Sequence, residues 1–173
     1  MIEVKITEGV KVEIRGVVIE VSGPLGVNKR SINDRLLSIK KNGETLVLEG
    51  VVSKKLGKKG IQAENSFAKE LKNDMAGVTK LYEINMKIVF AHFPISIEVK
   101  GNEVRINNMI GERAARISKI VGATKVEVKG QDLRVYGTSL DEVSQTAANL
   151  RTAVKIRDKD SRTFQDGIYH SID

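Results

Sequence analysis

The strongest constraint on this chain is that part of it is written twice. "VEIRGVVIEVSGPLG", Val12 to Gly26, and "IEVKGNEVRINNMIG", Ile97 to Gly111, read alike without a gap. Glu13 matches Glu98, Arg15 matches Lys100, Gly16 matches Gly101, Ile19 matches Val104, Val21 matches Ile106 and Gly26 matches Gly111. Each copy reads as a strand, a tight turn at Gly16 or Gly101, a second strand and a glycine loop. Farther on, "IKKNGETLVLEG" and "VEVKGQDLRVYG" place a second hairpin in each half, around Gly43 and Gly130.

Each copy then leads into an amphipathic helix. Phe67, Leu71, Met75 and Val78 recur at helical spacing in the first, which is expected to stop near Gly77. Leu140, Val143, Ala147, Leu150 and Val154 do so in the second, where Ser139 and Glu142 form a capping box. The expected fold class is therefore α+β: two tandem repeated domains, each a small antiparallel β-sheet with one α-helix packed on a face. The expected boundaries are residues 1–80 and 81–173. Between the helices, "YEINMKIVFAHFPISI" is apolar and strand-like until Pro94 holds Phe93 extended. It is expected to pass as a strand from the first unit into the second. The stretch from Gly111 to Gly122 carries a helical pattern in Ile110, Ala114, Ile117 and Val121, whereas the repeat aligns it with the strand-like Val27 to Ile32. Strand is the reading favoured.

Composition bears on what such a protein could do. An apolar fraction of 40% suffices for a packed core. No apolar run approaches the roughly 20 residues of a membrane helix, and "MIEVKITEGV" lacks the layout of a signal peptide. Cysteine is absent, which excludes disulfides and thiolate metal sites and fits a reducing, cytoplasmic setting. The net charge of +7 points to an anionic partner, with nucleic acid first.

Catalytic chemistry needs convergent acids, bases, nucleophiles or metal ligands. There are two histidines, His92 and His170, and neither sits in a ligand-spaced pattern. Glu112, Asp132, Asp141 and Glu142 read as turn and helix-start acids. No catalytic residue, metal ligand or cofactor site is assigned. "SKKLGKKG" invites comparison with a phosphate-binding loop and fails it: Val52 stands where the motif needs its first glycine, and Lys58 is followed by Lys59. What remains is Lys54, Lys55, Lys58 and Lys59 on a glycine-flanked loop, able to meet phosphates as point charges with little sequence preference. An ordinary solvated loop is the other reading.

Basic residues gather again in the second half. Arg105, Arg113, Arg116 and Lys119 surround the second glycine loop, and Arg151, Lys155, Arg157, Lys159 and Arg162 lead from the second helix into the tail. Asp158 and Asp160 interrupt that run. Aromatic residues amount to only 4%, so base stacking on a sheet face is not expected, and neither helix carries a base-reading basic face suited to DNA. The pattern suits folded RNA recognised by backbone and shape.

"FAHFP" (Phe90 to Pro94), "NNMIGE" (Asn107 to Glu112) and above all "RTFQDGIY" (Arg162 to Tyr169) resemble the large-subunit ribosomal protein L-six family, in its archaeal and eukaryotic form, over essentially the whole chain. The family pattern has an aliphatic residue at His170 and a glutamine at Thr152. The resemblance implies a structural part of the large ribosomal subunit, located in the cytoplasm. It implies binding to ribosomal RNA near the sarcin–ricin loop and neighbouring ribosomal proteins at the stalk base, where translational GTPases dock. Carried onto this chain, the RNA-facing residues are Arg113, Arg116, Lys155, Arg157, Lys159 and Arg162. The four lysines of residues 54–59 are added from charge alone. In the tail, Phe164, Ile168 and Tyr169 are expected to pack back on the second domain around a turn at Asp166 and Gly167, holding the basic residues in place. The alternative is a freestanding enzyme or phosphate-ligand binder, disfavoured by the missing catalytic groups.

Overall fold

The computed structural model describes residues 2–51, 58–157, 159–160 and 162–171. Two compact units divide the chain, Met1–Leu81 and Tyr82–Asp173. The first contains β1 (Ile2–Lys5), β2 (Lys11–Arg15), β3 (Val18–Gly23), β4 (Gly26–Ser31), β5 (Leu37–Asn42), β6 (Thr45–Gly50) and α1 (Lys59–Thr79). The second contains β7 (Tyr82–Val89), β8 (Ser96–Lys100), β9 (Glu103–Asn107), β10 (Arg116–Lys119), β11 (Lys125–Lys129), β12 (Asp132–Gly137), α2 (Leu140–Ala153) and β13 (Gly167–His170).

Each unit is α+β and antiparallel, with its strands shared between two small sheets. The first unit has the orders β2-β3-β4 and β1-β6-β5, and the second has β10-β9-β8 and β11-β12-β7-β13. The repeat explains the correspondence. Four of the hairpins, β2–β3, β5–β6, β8–β9 and β11–β12, close with a two-residue loop whose first residue is glycine: Gly16, Gly43, Gly101 and Gly130. Their φ angles lie between 58° and 62°. A side chain there would crowd the preceding carbonyl, so glycine at this spacing starts a tight hairpin.

Strand alternation then decides which residues are buried. In the first unit Val4, Val12, Ile19, Val21, Leu46 and Leu48 meet Phe67, Leu71, Met75 and Val78 of α1. In the second, Met86, Ile88, Val104, Ile106, Leu133, Val135 and Ile168 meet Val143, Ala147 and Leu150 of α2. Removing each such side chain from water contributes about 1.5–3 kcal/mol, which is why the period-2 and period-3.6 patterns settle against one another.

Three expectations are corrected or refined. First, β7 does not pass between units. It pairs with β12 and β13 inside the second unit, lying beside β12 as β1 lies beside β6, but with β13 on its other side. Residues 90–95 leave the ladder before β8 begins. Second, α1 stops near Gly77, as expected, but the glycine itself lies inside the helix, which ends at Thr79. Glycine weakens a helix by about 1 kcal/mol, which is too little to stop one whose Met75 and Val78 are buried. Third, the gap-free register ends before Gly111. Val18 faces Ser31, but its counterpart Glu103 faces Lys119 and not Arg116. The extra residues form a 3-10 turn at Met109–Gly111 in which Asn108 (φ 58°) and Ile110 (φ 51°) are left-handed. Residues 116–119 are a strand, as favoured from the repeat.

Candidate nucleic-acid interface

The basic residues of the second half lie on three pieces of backbone: the turn after β9, the end of α2 and the tail before β13. What holds these pieces is a small set of acid–base contacts.

The end of α2 is held by Arg116. Its Nε donates to Glu112 Oε2 at 2.8 Å and its Nη2 to Glu112 Oε1 at 2.6 Å. Its Nη1 donates to the carbonyl oxygens of Ala153 at 3.1 Å and Lys155 at 3.2 Å. The last carbonyls of a helix have no partner inside it, and a cation is favoured there by the helix dipole. Arg116 thus caps α2 from the neighbouring strand while a forked pair locks it to the turn. The hydrogen bond from Arg116 holds the Glu112 carboxyl below the usual carboxylate range, against burial, which pushes it up. At the other end, Ser139 caps α2 by accepting the N–H of Glu142, with Asp141 and Glu142 in the first turn.

The tail is held by Asp166, which is buried. Its Oδ1 accepts the N–H of Ala91 at 2.9 Å, and His92 Nδ1 lies 3.8 Å from Oδ2. Burial pushes this carboxyl up. The N–H groups of Ala91, His92 and Asp166 itself, with the charge of His92, outweigh that and leave it below its ordinary value. Ahead of it, the N–H groups of Thr163 and Phe164 donate to Asp160 O at 3.1 and 2.9 Å, forming the turn of the tail. Arg162 folds onto the Asp160 carboxylate, with Nε–Oδ1 3.2 Å and Nη2–Oδ2 3.1 Å. Lys159 Nζ lies 5.3 Å from the centre of the Phe164 ring, and the His92 ring is 6.1 Å from the same ring.

These contacts redistribute the roles expected from sequence. Arg113, Lys155, Arg157, Lys159 and Arg162 are exposed. Arg116, by contrast, directs its donors into the protein. Asp166 and Gly167 do not make the turn: Gly167 is the first residue of β13, and the turn lies at Asp160 to Phe164. Ile168 is buried among the core residues, but Tyr169 is 46% exposed on the other face of the strand, its hydroxyl donating to Gln165 O at 3.1 Å. Strand alternation requires that split, and the sequence reading missed it because it did not treat the tail as a strand. Phe164 is half-buried. Lys58 and Lys59 are exposed in the first unit; Lys58 is the N-cap of α1, Lys59 is its first residue and so not on a loop, and Gly60 is buried inside that helix. Lys54 and Lys55 lie outside the described residues.

Among the described residues, no group of three or more His, Cys, Asp or Glu side chains could hold a metal ion. No helix among them is long and apolar enough to cross a membrane. Fold and charge together describe a duplicated α+β protein whose second unit carries exposed cations on braced segments. The family model described as "Ribosomal protein L6" matches residues 93–167, which span the 3-10 turn, α2 and the tail. The large ribosomal subunit protein uL6 of Ignicoccus hospitalis is 40% identical over 170 residues, covering 96% of this chain and 90% of that protein. That of Methanocella arvoryzae is 39% identical, with 96% and 93% covered, and that of Archaeoglobus fulgidus 44%, with 90% and 78% covered. The chain belongs to the ribosomal protein L6 family.

Proposed function

We propose that this chain is a non-catalytic structural component of the large ribosomal subunit; its relatives are named as large ribosomal subunit proteins. Residues 81–173 bind large-subunit ribosomal RNA near the sarcin–ricin loop. Neighbouring ribosomal proteins surround it at the stalk base, and residues 1–80 form the companion domain. The observation that carries the reading is the pairing of exposed cations with internal braces. Arg113 follows the turn that Glu112 and Arg116 lock, and Lys155 follows the helix end that Arg116 caps. Arg157, Lys159 and Arg162 lie between that cap and the buried Asp166. Cations on a fixed frame discriminate an RNA shape, whereas cations on loose chain would serve any polyanion. Lys58 and Lys59 give the first unit a weaker claim on phosphate.

The test compares a large-subunit RNA fragment containing the sarcin–ricin region with random duplex RNA of equal length, across a salt series. Nanomolar-scale affinity for the fragment, weakening steeply with salt through counterion release, is expected. Equal affinity for both RNAs overturns the specific site.

A further inference from the structure

Strand β13 ends its sheet, and among the described residues no strand pairs with its outer edge. Its inner edge faces β7, with Ile168 opposite Ile88 and Tyr169 opposite Lys87, and the N–H of Ser171 donates to Asn85 O at 2.9 Å. In an antiparallel ladder the main-chain groups of alternate residues turn inward and outward. Tyr169 and Ser171 therefore bond toward β7, and the N–H and C=O groups of Ile168 and His170 turn outward.

Beside that edge lies a groove of about 690 Å³ between β13 and the face of α2 that runs from Ser144 to its C-terminal end. Its helical wall carries Ser144 and Ala148, one turn apart, both short and exposed. Arg151 and Lys155 continue the same stripe, and Lys159 also lines the groove. Among the described residues that line the groove the one carboxylate, Asp166, is buried and engaged by the N–H of Ala91.

These features select a ligand. An edge that alternates donors and acceptors is complementary to another strand. A phosphate backbone offers acceptors only, and would face the carbonyls of Ile168 and His170 with like polarity. Short side chains on the helix leave room for a peptide backbone to lie alongside. Three cations favour carboxylates on that peptide. We propose that this groove binds an extended acidic peptide of a partner protein, which adds to β13 as a further strand. Strand β13 spans roughly 13 Å at about 3.3 Å per residue, so a partner segment of about four to six residues fills it. Lys155 and Lys159 are shared with the RNA-binding proposal, so the test rests on the strand edge and on Ala148, which are not.

The test titrates the full chain with a fluorescently labelled hexapeptide of alternating valine and glutamate. In parallel it uses a peptide of equal charge with a central proline, and an RNA hexamer. The alternating peptide is expected to saturate, and the proline peptide, lacking one strand donor, to bind about tenfold more weakly. The amide resonances of Ile168 and His170 are expected to shift on binding. Ala148→Phe fills the groove from an exposed helix position, and Ser144→Phe does so one turn earlier. Each should abolish peptide binding and leave affinity for the ribosomal RNA fragment within about twofold. Absence of saturation, equal binding of the proline peptide, or displacement by the RNA hexamer with both amides unmoved would each overturn the proposal.

Discussion

Arg116 and Glu112 form a forked pair, Nη2 to Oε1 at 2.6 Å and Nε to Oε2 at 2.8 Å, and the same guanidinium caps the end of α2. A fork fixes orientation as well as distance, so the turn after β9 and the helix end are held by a single side chain. Arg116→Ala should lower stability by about 1–3 kcal/mol in chemical denaturation, because it strands both a carboxylate and two carbonyls. Arg116→Lys should recover little, since an ammonium cannot make the fork. A loss under about 0.5 kcal/mol, ordinary for a surface substitution, would sink the joint.

Asp166 sets an acid response. Its folded-state carboxyl lies below the ordinary value, so its contribution to stability is fully present above the unfolded value of about 3.9 and disappears as pH falls through the folded one. Asp166→Asn should cost about 1–3 kcal/mol at neutral pH, and the gap from the parent should close below about pH 4. Denaturation midpoints measured from pH 7 to pH 2 check this. A gap independent of pH would contradict it.

Ile168, close to the end of the chain, is 1% exposed. Ile168→Ala should cost about 2–5 kcal/mol, as for any core truncation, whereas Tyr169→Ala on the opposite face should cost less than about 1.5 kcal/mol. Comparable losses for the two would mean that β13 does not alternate as described.

The exposed cations should divide by position. Arg162→Ala, in the braced tail, should weaken binding to the ribosomal RNA fragment more than Lys58→Ala in the first unit. It should also lower the salt slope by about one phosphate contact. Equal losses would point to a diffuse patch, with the brace irrelevant to recognition.

The duplicated architecture was legible in the residues because it rests on local rules. Glycine before each second strand, alternation along the strands and the 3.6-residue spacing of Leu140, Val143, Ala147 and Leu150 each act over a few positions. From sequence alone, the stretch from Leu81 to Ile97 nevertheless reads as a bridge between units. An apolar strand carries no mark of its partner, and only the ladders to β12 and β13 assign one. The 3-10 turn at Met109–Gly111 escaped as well, because an insertion that keeps the glycine in step is invisible until the strands pair.

By itself, then, the sequence determined the repeat, the fold class, the basic balance and the family to which the chain belongs. It did so because hairpin glycines and apolar periods are short-range, and charge is additive. Tertiary structure decided which cations face outward and which brace the frame. Arg113 and Arg116 are indistinguishable in composition, but Glu112, Ala153 and Lys155 converge on the second of them. It also decided what the tail is. Asp166 anchors beneath Ala91, Ile168 enters the core, and among the described residues no strand pairs with the outer edge of β13 beside α2. Those outcomes depend on groups far apart in sequence arriving together, which no local pattern records.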